Sequence, residues 1–168
     1  MGEIKDLSHT EAIKKLKELA EDINICMFCT KTEKIPFQTR PMGTQKVDDK
    51  GKLWFLSAAG SNKNDEIKQD DDVQLLYAKA SAAHFLSVTG KASVTRDKKK
   101  IDELWNKWAE AWFKGGKDDP HLTAICVDPS DAYYWDTKNG KMITLLKIAV
   151  SAFSEKKMDG GVEGKIKL

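Results

Sequence analysis

Ser61, Asn62 and Lys63 stand in the stretch LWFLSAAGSNKNDEI (residues 53–67), where an apolar run gives way to a helical pattern. A hydroxyl, an amide and an ammonium at a helix start have two uses. Ser61 or Asn62 can cap the helix by accepting from its first N–H groups. The same place can hold an anion, because a helix N-terminus presents unpaired N–H groups and the favourable end of the macrodipole. Ser61 would then donate its hydroxyl and Lys63 would supply charge, while Gly60 would let the backbone approach closely. On this stretch alone both uses remain open. Arg40, in Thr39-Arg40-Pro41-Met42, adds a guanidinium suited to bidentate phosphate contact. It reaches the same anion as Lys63 if its strand pairs with the strand over 52–57.

Five tryptophans offer ring-stacking surface. Trp54 and Trp135 fall in strand patterns near the proposed site, where either could flank a planar ring. Trp105, Trp108 and Trp112 share a helical stripe with Ile101 and Leu104, which reads as helix core. Other chemistries find less support. Cys26 and Cys29 form a C-x-x-C, but their segment ICMFCT reads as a buried strand, so they are expected to be core thiols rather than a redox or metal pair. His9, His84 and His121 are scattered and form no ligand pair, and no metal site is expected. No acid–base pair stands out, and no catalytic residue is assigned; the nearest histidine, His84, reads as an ordinary surface or core residue.

Length and charge narrow the setting. A chain of 168 residues suits one compact domain, expected over 1–153. Its 28 basic and 26 acidic residues leave a net charge of +2, which argues against a nucleic-acid partner. No apolar run is long enough to span a bilayer. Charges recur from Glu3 onward, which leaves no signal-peptide core, and Asp6 stands where a myristoylation signal needs Ser or Thr. Three cysteines without an export signal argue against a disulfide framework. The expected location is the cytoplasm.

The elements that must position these residues follow from periodicity. Ser8-His9-Thr10-Glu11 is a capping box for an amphipathic helix through Ile23. Strands are expected over Ile25–Thr30, Phe37–Val47, Lys52–Ser57, Val73–Ala78, Leu86–Thr95, Leu122–Val127 and Ala132–Thr137. Asp48-Asp49-Lys50-Gly51 makes a hairpin turn. Gly90, on the buried face of its strand, marks a bulge or barrel corner. Asn62–Gln69 reads as a short helix. Asp97 caps a long helix that carries the tryptophan stripe to Gly115-Gly116. Met142–Phe153 is read as helix, and residues 154–168 as a loosely ordered tail. Antiparallel connections without βαβ units point to a small barrel with peripheral helices.

Five stretches in order resemble the pyridoxamine 5′-phosphate oxidase-like split-barrel proteins, the general stress protein 26 branch most closely. They are TRPM (39–42), LWFLSAAGSNKNDEIKQDDDVQLLYA (53–78), SVTGKASV (87–94), ELWNKWAEAWFKGGKDDP (103–120) and AYYWD (132–136). The resemblance runs from about Ala12 to Phe153. It implies a six- to seven-stranded antiparallel split β-barrel, mainly β with peripheral helices, that forms a homodimer with two FMN sites at the interface. It further implies that Arg40, Ser61 and Lys63 contact the FMN phosphate, with Asn62 in the same turn. Pro41, Met42, Leu56 and Ser57 would line the flavin. Trp135 would reach it from the partner subunit, and Trp112 and Phe113 would also approach from there. The oxidases usually carry an arginine where this chain has Asn62, and a glutamine where it has Phe85. Their C-terminal arginine–histidine motif is absent from GGVEGKIKL, so oxidation of vitamin B6 is not expected. The implied activity is flavin-dependent electron or hydride transfer with a small-molecule donor or acceptor. Non-enzymatic FMN storage or sensing, and haem or deazaflavin binding in the same barrel, are the alternatives.

Overall fold

The computed structural model describes residues 9–138 and 141–148. Helix α1 (His9–Ile23) opens the chain. It buries Ala12, Leu16, Leu19 and Ala20, the apolar stripe expected of it. Eight strands form one antiparallel sheet: β1 (Ile25–Thr30), β2 (Gln38–Gly43), β3 (Lys46–Val47), β4 (Leu53–Ala58), β5 (Asp72–Lys79), β6 (His84–Thr95), β7 (Leu122–Lys138) and β8 (Lys141–Ile148). The order is β2-β1-β5-β6-β7-β4-β3, with β8 paired to β7. Among the described residues no helix is long and apolar enough to cross a membrane.

The sheet curls until its ends meet. Phe28 on β1 and Phe55 on β4 are not on neighbouring strands, yet their rings touch edge to face at 5.3 Å across the interior. The chain closes the curl at one corner. Residues 38–47, expected as one strand over Phe37–Val47, divide at Thr44-Gln45. The first part pairs with β1, and the second with Leu53 and Trp54 of β4. Thr44 is buried there, its N–H donating to Asn24 O and its hydroxyl bonded to Tyr77 Oη at 2.7 Å. Because β3 covers only two residues of β4, the remaining edge of β4 faces β2 across an unpaired seam. This seam is the split of the barrel.

Three further expectations are corrected. Residues 122–138 form one strand of 17 residues, not two. Pro129 does not end it, because it sits at a register shift opposite Gly90, where the missing ladder donor does no harm. The long helix is two helices, α3 (Lys98–Leu104) and α4 (Lys107–Trp112). Asp97 caps the first as expected, accepting from Lys99 N. Trp105 then turns extended, and Asn106 caps the second by accepting from Ala109 N at 2.9 Å. A side chain that serves as a cap competes with continued helix, and this one wins. Residues 142–148 belong to strand β8 rather than a helix, while 149–153 and the expected tail lie outside the described residues, as does Ser8. The run KMITLLKI has no clear period, so pairing with β7 decides its state.

Candidate functional site

The seam between β2 and β4 opens into a cleft of about 340 Å³. Strand β2 contributes Pro41, Met42 and Gly43, and β4 contributes Leu56, Ser57 and Ala58. Trp108, Trp112 and Phe113 form a third wall, with Ile25 beside them. The break before α4 puts that wall in place. Once the helix stops at Leu104, Trp108 and Trp112 leave the line of Ile101 and Leu104 and turn towards β2. The break is tied to the barrel corner, since Asn106 Nδ2 donates to Gln45 Oε1 and Gln45 Nε2 donates to Gly43 O. Trp108 packs directly on Gly43, where a Cβ would enter the indole ring. The Trp108 and Trp112 rings lie 5.7 Å apart at 44°, and Trp112 is 69% exposed, which corrects the reading of these two residues as core, while Ile101, Leu104 and Trp105 pack into a core as expected. Trp112 and Phe113 stand in the cleft of their own chain.

At the opposite end lies α2 (Asn62–Gln69), whose bounds match the expected helix. Among the described residues Lys63 is the sole ionisable side chain in the cleft lining, and it is half-buried. Among the described residues its ammonium has no hydrogen-bond or ion-pair partner. Burial, and the nearby Arg40 guanidinium, hold it below the ordinary lysine range, with Glu66 opposing them. Arg40 is not part of the lining. Its Nη1 donates to Thr30 Oγ1 and its Nη2 to Glu66 Oε2, both at 2.7 Å. A guanidinium has further N–H donors beyond those two. Arg40 reaches this neighbourhood by pairing with Phe28 of β1, not with β4 as expected.

Ser61 occupies the N-cap position of α2, but its side chain caps nothing. Its Oγ instead lies 3.1 Å from Ser57 Oγ. Ser57 in turn donates to Asn64 Oδ1, and Asn64 Nδ2 donates to Ala58 O and to Thr123 Oγ1. The turn is therefore braced from inside, and its hydroxyls are not spent on capping. Gly60 has no special conformation to satisfy, because a Cβ there would meet nothing. Asn62 is exposed on the first turn of α2, outside the lining. Trp135, on β7, pairs with Phe85 of β6, away from this cleft. Trp54 also lies elsewhere: its Nε1 donates to Asp48 and Lys100 sits 4.6 Å over its ring. Cys26 and Cys29 are buried and free, and burial raises the Cys26 thiol to about 12, as a core thiol requires.

Asn64, Glu66 and Thr30 were not singled out by spacing. A signal was nevertheless present. The helix NKNDEIKQ has one aliphatic residue, Ile67, yet must bury a face, so polar residues must face inward with partners. Replacing Asn64 by Ala strands several buried groups at once and is expected to cost about 2–3 kcal/mol. Thermal unfolding is expected to fall by roughly 4–12 °C.

A two-cation corner with spare donors at one end, and an apolar, tryptophan-walled space at the other, suits a phosphorylated planar ligand. The sequence pattern of the family described as pyridoxamine 5′-phosphate oxidase like matches residues 11–159. This chain belongs to that family. General stress protein 26 of Bacillus subtilis is 30% identical over 82 residues, which cover 47% of this chain and 58% of that protein. Protein bli-3 of Neurospora crassa is 29% identical over 96 residues, 52% of this chain and 46% of that one. The chain thus spans about half the length of the curated relatives it matches.

Solved structures share the fold. A protein related to general stress protein 26 from Clostridium acetobutylicum superposes with a TM-score of 0.66 at 22% identity, covering 84% of this chain and 97% of that one. The general stress FMN/FAD binding protein of Xanthomonas citri gives 0.64 at 23% identity, covering 89% and 97%.

Proposed function

We propose that this chain is an FMN-binding split-barrel flavoprotein of general-stress type that works as a flavin-dependent oxidoreductase in the cytoplasm. One observation carries the reading: Lys63 stands half-buried beside Arg40, with no hydrogen-bond or ion-pair partner of its own among the described residues, at the polar end of an otherwise apolar cleft. A half-buried ammonium without a direct partner, next to a second cation, calls for an anion. The FMN/FAD binding protein among the structural neighbours supports flavin as the bearer of that anion.

A bound flavin supplies hydride or single-electron transfer through its ring system. The protein's part is to hold and shield it. Lys63 and the spare donors of Arg40 grip the phosphate, with Ser61 in the same turn. Met42, Pro41 and Leu56 flank the ring, and Trp108 and Trp112 keep water from it. Among the described residues the lining holds no carboxylate or imidazole to act as a general acid or base at the apolar end. That favours electron or hydride transfer over proton abstraction. The C-terminal sequence lacks the arginine–histidine pair of a vitamin B6 oxidase.

The working unit in this proposal is a homodimer. Ile25, Met27 and Leu76 are 50%, 41% and 39% exposed on the outer face of the sheet. Met27 registers with both Pro41 and Leu76, so they form one apolar band that runs into the cleft through Ile25 and Pro41. Phe85 and Trp135 continue the same face. In this proposal a second copy of this chain covers the band, and Trp135 would serve the other copy's cleft.

The test is a visible spectrum of the purified protein after FMN is added and the excess removed, together with its mass by light scattering. The expected result is a retained, shifted flavin spectrum at about one FMN per chain on a dimer. A colourless protein refutes the proposal and makes haem or a deazaflavin the next ligand to try. A stable monomer at micromolar concentration removes the shared site. Retained FMN with no oxidation of NADH or NADPH by any acceptor makes the protein a flavin carrier or sensor.

A further inference from the structure

We infer that Glu66 is the built-in counter-ion of the anion end of the cleft: it holds Arg40 in place before a ligand arrives, and it limits how strongly that end attracts a phosphate. The inference rests on the FMN reading and names what tunes that same site. Glu66 is only 8% exposed, on a helix whose other residues leave little reason to bury a carboxylate. Its Oε2 accepts from Arg40 Nη2 at 2.7 Å and from Thr30 Oγ1 at 2.6 Å, while Arg40 Nη1 donates to the same Thr30 hydroxyl. The three groups close a triangle that fixes the plane of the guanidinium. A buried ion pair is poor evidence of stabilisation, because desolvation offsets the attraction. Orientation is the better account of this one. Arg40 and Lys63 without Glu66 would be two unopposed cations in a partly desolvated corner, with Lys31 also near enough to act on Glu66, and the carboxylate offsets one of these charges. The site is then preformed without a ligand. The carboxylate that does this also repels an incoming phosphate.

The experiment compares Glu66→Gln and Glu66→Asp with the wild type. Glutamine keeps an oxygen to accept from Arg40 and Thr30 but removes the charge. Aspartate keeps the charge on a shorter arm. At pH 7 and low salt, E66Q is expected to bind FMN roughly tenfold tighter, because a negative charge near the phosphate is gone. Its affinity for riboflavin, which lacks the phosphate, is expected to stay at the wild-type value. E66D is expected to show no tightening. In ligand-free E66Q, Lys63 is expected to titrate lower than in the wild type, since the carboxylate that favours its charged form is absent. If the wild type binds FMN and E66Q binds it no tighter, or riboflavin shifts by the same factor, Glu66 only props the fold and the inference is overturned. If the wild type binds neither FMN nor inorganic phosphate, the flavin reading itself fails and takes this inference with it.

Discussion

Replacing Lys63 by Ala is expected to weaken FMN binding by about ten- to 150-fold, the worth of one charged hydrogen bond at roughly 1.5–3 kcal/mol. Riboflavin binding is expected to be unchanged, because the phosphate is the group that Lys63 meets. Titration of both ligands by flavin fluorescence reads the two affinities side by side. Equal losses for FMN and riboflavin would place Lys63 at the ring, and no loss for either would remove it from the site.

The pH dependence sharpens the test. Lys63 is held below the ordinary lysine range by burial and by Arg40. In the ligand-free protein the folded state therefore gives up this proton at a lower pH than the unfolded chain does. Between those two values the unfolded state binds more protons, so this group's contribution to stability rises with pH. Below that window the charged ammonium disfavours the fold, and above it the penalty is gone. FMN binding has the opposite sign, because the phosphate needs the charged form. Affinity is expected to fall as pH rises through the folded value, and K63A is expected to lose that dependence. Subtracting the K63A profile isolates this lysine from Lys46, Lys52, Lys91 and Lys98, whose carboxylate partners raise them instead.

How much of this was legible in the sequence depends on what fixed each element. Strand β1 and helix α2 fall at the expected residues, because their patterns are short and bounded by turn chemistry. Lys63, Pro41, Met42, Leu56 and Ser57 were expected near one another and line one cleft, whereas Trp112, expected to approach from the partner subunit, lines the cleft of its own chain. What escaped was set by partners distant in the chain. The division of residues 38–47 depends on which strand each part meets. The break at Trp105-Asn106 follows from one side chain that caps the next helix and ties it to Gln45. Periodicity reports a stripe but not its interruption, so Trp108 was assigned to the core when it walls the cleft. Glu66 and Asn64 were missed for a related reason. Inward polar residues are recognised by the groups that satisfy them, and Thr30, Arg40 and Thr123 lie on other strands.

Gly90→Ala is expected to be among the most damaging single-methyl changes in the chain, and the reason is geometric. Strand β6 meets β7 at Gly90 with a register shift, and the chain opposite is Asp128-Pro129. A Cβ at position 90 would overlap the Asp128 carbonyl oxygen and crowd the Pro129 Cα. Both are backbone atoms of the sheet's longest strand, so no rotamer change relieves the contact. The two strands would have to separate where the bulge turns the barrel. Overpacking against a side chain costs about 1–3 kcal/mol, and a clash with fixed backbone belongs at or above the top of that range. At roughly 2–4 °C per kcal/mol, thermal unfolding is expected to drop by about 6–12 °C. Gly60→Ala supplies the contrast, because its Cβ meets nothing and it lies in a turn. That change is expected to shift stability by no more than about 0.5 kcal/mol. If G90A unfolds at the wild-type temperature, the β6–β7 register at the bulge is not the one described, and the face that carries Phe85 and Trp135 must be redrawn with it.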